Sequence, residues 1–190
     1  MMALGLDIST SCTGWCLLSA KSPEKFDSID IGAVYLSDID DVFEKACAVK
    51  NCLLGFLDRN ITHVFIEENL QSFSRGLSSA QTLVTLARFN GIVSYISQEV
   101  LGTPPVFLNV NVARKSLGLK TVKEADSGVT LKEQVFNWVK SDHTRRSLQV
   151  EWPQKTLKSG PRKGETVLDR SAYDMSDAYV IAASGIMSIR

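Results

Sequence analysis

Net charge is the first thing this sequence lacks: lysine plus arginine and aspartate plus glutamate both total 21, giving a formal charge of +0 and a pI near 6.7. That excludes a uniformly basic nucleic-acid binder. Glycine (12) and proline (5) are too few and too scattered for a collagenous or low-complexity chain, and no segment repeats at a fixed period. The four cysteines, Cys12, Cys16, Cys47 and Cys52, match no C-x-x-C spacing, which excludes the common zinc and dithiol motifs and leaves reduced, buried thiols as the expectation. No cationic stretch followed by an apolar run opens the chain, and no window reaches the roughly 18 apolar residues of a spanning helix. The expectation is a soluble, unexported protein with no membrane partner. What is present, 44 % hydrophobic and 22 % charged residues over 190 positions, suits a single domain covering 1–190.

The charge is unevenly spread. Residues 1–60 carry 5 basic and 9 acidic side chains, and residues 61–139 carry 7 and 6. Residues 140–170 carry 8 basic and 4 acidic, so one short stretch is cationic within a neutral chain and is where a polyanion would be met.

Hydrophobic patterning predicts three sequential strands, over 3–10, 15–20 and 28–36, the third alternating Ile29, Ile31, Ala33 and Tyr35 onto one face. Acidic residues 38–41 open a helix to about Asn60. A buried-type strand, His63 to Glu68, ends in two carboxylates. A long helix from about Ser79 to Val100 stops at Gly102, and a strand follows over 106–110. Asn111 is expected to cap a short helix, and Thr130 to open another that ends near Lys140. From about 141 to 171 periodicity vanishes, predicting a long basic loop with a short strand at 148–152. An apolar helix from Asp174 to Ile189 closes the chain. This order predicts an α/β fold: a five-stranded mixed sheet, the first three strands antiparallel and the last two parallel, flanked by helices.

Four carboxylates stand out. Asp7 sits inside the apolar run Leu4-Gly5-Leu6-Asp7-Ile8, where it either caps the next turn or needs a partner. Glu67 ends the fourth strand, and Asp174 and Asp177 lie three apart at a helix start, where each alone suits the helix dipole. If the first and fourth strands are neighbours, all four can converge. Such a cluster cannot stay ionised without a cation, and oxygen-only ligands point to magnesium or manganese. Two such ions about 3.5–4 Å apart suit phosphodiester hydrolysis.

Read in order, LGLDISTSCTGW, FIEENL, SSAQTLVTLARFNGIVSYISQEV, PPVFLNVNVARKSLG, LKEQVFNWV and DMSDAYVIAASG resemble the RuvC family of Holliday-junction resolvases, within the ribonuclease H-like superfamily. The resemblance implies a ribonuclease H-like fold and a homodimer that resolves four-way and other branched DNA by symmetric cuts leaving 5′-phosphates. It implies Asp7, Glu67, Asp174 and Asp177 as catalytic ligands of two Mg2+ or Mn2+ ions, Glu67 being chosen over Glu68 because strand side chains alternate. It also implies a cytoplasmic setting, in a bacterium or a phage-infected host cell. The family's base-stacking aromatic aligns with Leu70, leaving nearby Phe73, with Arg75, as the candidate DNA contact. Further candidate DNA contacts are Arg114, Lys115, Arg145, Arg146, Lys155, Lys158, Arg162 and Lys163; those from Arg145 onward lie in the basic stretch, which is longer than the family's usual link.

Three other readings use the same residues. One is a ribonuclease H-like nuclease acting on forks, flaps or RNA–DNA hybrids. Another, from Asp7-Ile-Ser-Thr-Ser-Cys-Thr-Gly14, is a phosphate-binding hairpin resembling the actin-like and sugar-kinase ATPases, which leaves D-x-x-D unused and lacks a second Gly-rich loop. The last is a non-catalytic junction-binding protein, against which all four carboxylates are present.

Overall fold

The computed structural model describes residues 1–68 and 80–189. Three strands open the chain: β1 (Met2–Ile8), β2 (Cys12–Ser22) and β3 (Lys25–Tyr35). Helix α1 (Val42–Leu54), β4 (His63–Glu67), α2 (Ala80–Leu101), β5 (Pro105–Leu108), α3 (Val110–Ser116), α4 (Glu124–Ser127) and α5 (Leu131–Arg146) follow. A hairpin of β6 (Gln154–Thr156) and β7 (Thr166–Leu168) precedes the last helix, α6 (Ser171–Ser188). The main sheet runs β3-β2-β1-β4-β5, antiparallel through the first three strands and parallel from β1 to β4 to β5. This is the mixed sheet that the alternation pattern predicts.

Two cores form because β1 and β4 are apolar on both faces. Leu4, Leu6, Val64 and Ile66 pack with α1 and α2 residues such as Val49, Leu53, Phe89 and Val93. Ala3, Cys16, Leu18 and Phe65 pack on the other face with α6, which contributes Ala178, Tyr179, Ile181 and Ala182. Gly5 and Gly14 permit that closeness. A methyl on Gly5 would collide with the Ala178 carbonyl and Ala182, and one on Gly14 with the Asp174 backbone.

Several boundaries differ from the sequence expectation. The 141–171 stretch is not one loop: α5 continues to Arg146, and residues 154–168 form the β6–β7 hairpin. The strand expected at 148–152 is irregular, its alternation serving instead to bury Leu148 and to seat Trp152 on Phe136 (centroids 4.9 Å apart). Helix α1 stops at Leu54, six residues early, and a 3-10 turn over Leu57–Arg59 with left-handed Asn60 completes the connection. Asn109, not Asn111, caps α3, accepting from the Asn111 and Val112 amides. α6 starts at Ser171, whose amide is taken by Asp169, so Asp174 and Asp177 lie inside the helix rather than capping it. Thr130 caps α5 as expected, in a reciprocal box with Glu133. Of the cysteines, all free thiols, Cys12 and Cys16 are buried, Cys52 is partly buried and Cys47 is exposed, against the expectation of burial throughout. Among the described residues no helix is long and apolar enough to cross a membrane.

His143, 4 % exposed, lies between Trp152 (stacked, 5.7 Å) and Tyr179 (edge-on, 4.4 Å), and neither ring nitrogen finds a partner among the described residues. Burial, opposed by Asp142 and aided by Arg146, holds its pKa down to about 4. Between that value and the ordinary 6.5 the unfolded chain binds a proton that the folded chain refuses, so this contribution to stability falls as pH drops through the window. His143→Phe is therefore expected to lose roughly 2 kcal/mol less stability than the parent between pH 7 and pH 5, by urea denaturation at both values. Equal losses in the two proteins would refute it.

Candidate active site

The period-two geometry of adjacent parallel strands makes the site. Leu6 pairs with Ile66, and one step further Asp7 and Glu67 stand at the C-terminal ends of β1 and β4. Ala3 and Phe65 belong to the core beneath α6, so by alternation Asp7 and Glu67 point to that same side. Asp7 also lies opposite Gly14, whose missing side chain lets the Asp174 backbone press against the sheet. One turn later on α6 comes Asp177. All four carboxylates line a single cavity of about 870 Å³, with Arg114, Lys132, Arg170 and Tyr173 among the other walls.

The electrostatics are those of crowded like charge. Asp7 is pushed well above the ordinary carboxyl range, first by burial and then by Asp177, Glu67 and Asp174, with Lys132 opposing. Glu67 rises to about 7, through burial and Asp177, against the lowering effects of Arg114, a hydrogen bond with Asp7, and Lys132. Asp177 is also raised, by burial, although Arg114 donates to its Oδ1 at 2.9 Å. Lys132 reaches Asp174 Oδ1 at 3.3 Å and keeps its charge, the three aspartates outweighing its burial.

These two cations bear on metal binding. No three His, Cys, Asp or Glu side chains among the described residues close into a ready metal cage, and Asp174 and Asp177 are engaged with Lys132 and Arg114. The donor chemistry nonetheless fits a hard divalent cation: four oxygen-bearing side chains on one cavity, two of them with their ionisation disfavoured by burial and neighbouring negative charge. Four ionised carboxylates released from their ion pairs balance two divalent ions; with both pairs kept, they balance one.

Of the residues singled out from sequence, Arg114 is tied to Asp177, while Lys115 is exposed one position on. Arg145 and Arg146 fall elsewhere. They end α5, whose first turn carries Lys132, about 20 Å away at 1.5 Å per residue. Both bond Asp142, and Arg146 also donates to the Glu24 carbonyl (2.9 Å) and covers the Phe26 ring (4.1 Å). Arg146 thus braces the end of α5 against β3 and the turn before it, with its guanidinium mostly covered. Lys155, Lys158, Arg162 and Lys163 all sit on the β6–β7 hairpin or its tip. Phe73 and Arg75 lie outside the described residues. The Ser9 hydroxyl donates to the Cys12 carbonyl (2.7 Å) and accepts from the Cys12 amide (3.2 Å), which closes the β1–β2 turn.

Lys132 is not among the residues that the sequence singles out, yet it carries a signal: a cation two residues after the Thr130 cap opposes the helix dipole. Asp174 is its compensation.

No protein-family model matches the chain, and no curated protein sequence does. Among solved structures, it superposes on "T. thermophilus RuvC in complex with Holliday junction substrate" with a TM-score of 0.61 and 18 % identity, over 97 % of this chain and 91 % of that one. A second match, "Thermus thermophilus RuvC structure", has a TM-score of 0.59 and 17 % identity, over 97 % and 92 %. The fold is that of these RuvC structures.

Proposed function

We propose that the chain is a divalent-metal-dependent endonuclease that resolves four-way DNA junctions, acting as a homodimer through one nuclease domain per chain. The convergence of Asp7, Glu67, Asp174 and Asp177 on one cavity, within a fold shared with a protein solved on a Holliday junction, carries this reading. Those four side chains would hold Mg2+ or Mn2+, which when bound supplies an activated water and stabilises the oxygens of the phosphodiester.

The chain's own residues contribute the rest. Arg114, anchored on α3, and Lys132, on α5, neutralise Asp177 and Asp174 until metal enters and keep positive charge beside the backbone phosphate. Arg170 and Tyr173 stand on the cavity wall, where a nucleic-acid strand would pass. Two copies give the two cuts that a symmetric junction requires.

The test is cleavage of matched four-way junction, fork, flap, linear duplex and RNA–DNA hybrid, with and without Mg2+ or Mn2+. Paired, symmetric, metal-dependent nicks confined to the four-way junction are expected. Cutting of forks or hybrids alone would reassign the substrate, and tight junction binding without cutting would make the protein a scaffold.

A further inference from the structure

Among the described residues the strands of the β6–β7 ribbon pair only with each other, β6 is exposed along its length, and no other element packs broadly against either strand. An isolated two-stranded ribbon is marginal in water, so this one depends on its root. There it is well braced. Trp152 is lodged against Phe136 and His143, the Asp169 amide donates to the Pro153 carbonyl (2.9 Å), and Lys155 pairs with Asp169 (3.5 Å). The tip is closed by left-handed Gly160 and Gly164 and by Arg162 with Glu165 (2.7 Å).

Residues 154–168 carry four cations, Lys155, Lys158, Arg162 and Lys163, against the single acid Glu165. Two of these are engaged by Asp169 and Glu165, but Lys158 and Lys163 are exposed and make no ion pair among the described residues. The chain leaves the ribbon through Arg170, which lines the carboxylate cavity. The arm therefore springs from the cavity rim and extends on the order of 15 Å at the rise of a strand. Its form is one that a duplex groove admits, and its stiffness limits the ordering cost of binding.

We propose that this ribbon is a fixed arm gripping duplex DNA through backbone phosphates at Lys158 and Lys163, adding affinity without adding preference for branched over linear DNA. The inference rests on the nuclease reading above but is separable from it. The tip's arginine, Arg162, which could read a guanine edge, is engaged by Glu165, and the two lysines left over are point charges suited to phosphate.

The experiment measures affinity for a four-way junction and for linear duplex of the same sequence, in EDTA, over a range of salt. It compares the parent, K158A/K163A and a charge-matched control, K21A/K50A. The slope of log affinity against log salt is expected to become shallower by about two for K158A/K163A on both DNAs, with affinity falling on the order of tenfold per lysine near 0.1 M salt and the junction-to-duplex ratio unchanged. The control should keep the parental slope. A parental slope in K158A/K163A would overturn this inference alone, as would a loss confined to the junction. A parent that binds neither DNA would overturn the nuclease reading as well.

Discussion

Asp7→Asn is expected to abolish junction cleavage, by at least about 10³-fold or roughly 4 kcal/mol of transition-state stabilisation, while making the metal-free protein more stable. Both effects have one source. Asp7 stands where burial, Asp177, Glu67 and Asp174 all disfavour its charge, so the folded chain holds it at a cost that only a bound cation offsets. The amide keeps the shape and removes the charge. A gain of about 1 kcal/mol, or 2–4 °C in Tm for a chain of this size, is expected in EDTA. Its pH dependence has a definite sign. Glu67 keeps in the folded state, between about 4.5 and 7, a proton that the unfolded chain releases, and Asp7 is shifted in the same direction, so stability falls as pH rises. The advantage of the Asp7→Asn variant over the parent should accordingly be larger at pH 8 than at pH 5. Single-turnover cleavage with Mg2+ and calorimetry without it give the two readouts. Persistent cleavage would remove the carboxylate mechanism, and a lowered Tm would make Asp7 a structural residue.

Much of this site is legible in sequence because strands and helices convert spacing into direction. Period two places Asp7 and Glu67 on the α6 side of β1 and β4 and turns Glu68 away. Period 3.6 places Asp174 and Asp177 one turn apart. Their cationic partners are not legible, since Arg114 is 63 and Lys132 is 42 positions from its aspartate and only the packing of α3 and α5 beside α6 brings them in. The basic stretch misleads for another reason. Hydrophobic periodicity marks a helix by its apolar face, and the last turns of α5 bury Asp142 and His143 instead. The ribbon that follows buries little, so it leaves no alternation to read.

That polar helix end carries the second large effect: Asp142→Ala should destabilise the fold by about 3–5 kcal/mol. Asp142 is 3 % exposed and accepts from the Tyr179 hydroxyl (2.6 Å), from Arg146 Nε (2.9 Å) and from Arg145. Burial alone would raise its pKa, but these three donors hold it below the ordinary aspartate value. Removing the carboxylate strands a fully buried phenol in the centre of α6 and a guanidinium that is mostly covered. Truncating the donors should divide the effect by exposure. Arg145, with 68 % of its side chain in solvent, should cost little. Arg146, at 18 %, also loses its packing over Phe26 and its bond to Glu24, and should cost more. Denaturant midpoints for Asp142→Ala, Arg145→Ala and Arg146→Ala, set beside the salt dependence of junction binding, decide between strut and DNA contact. A normal midpoint with a shallower salt slope in Arg146→Ala would return that residue to the DNA interface. The expected result is the reverse, a lowered midpoint with the slope intact, because Arg146 is fixed on Asp142, Glu24 and Phe26 at the end of α5 remote from the carboxylate cavity.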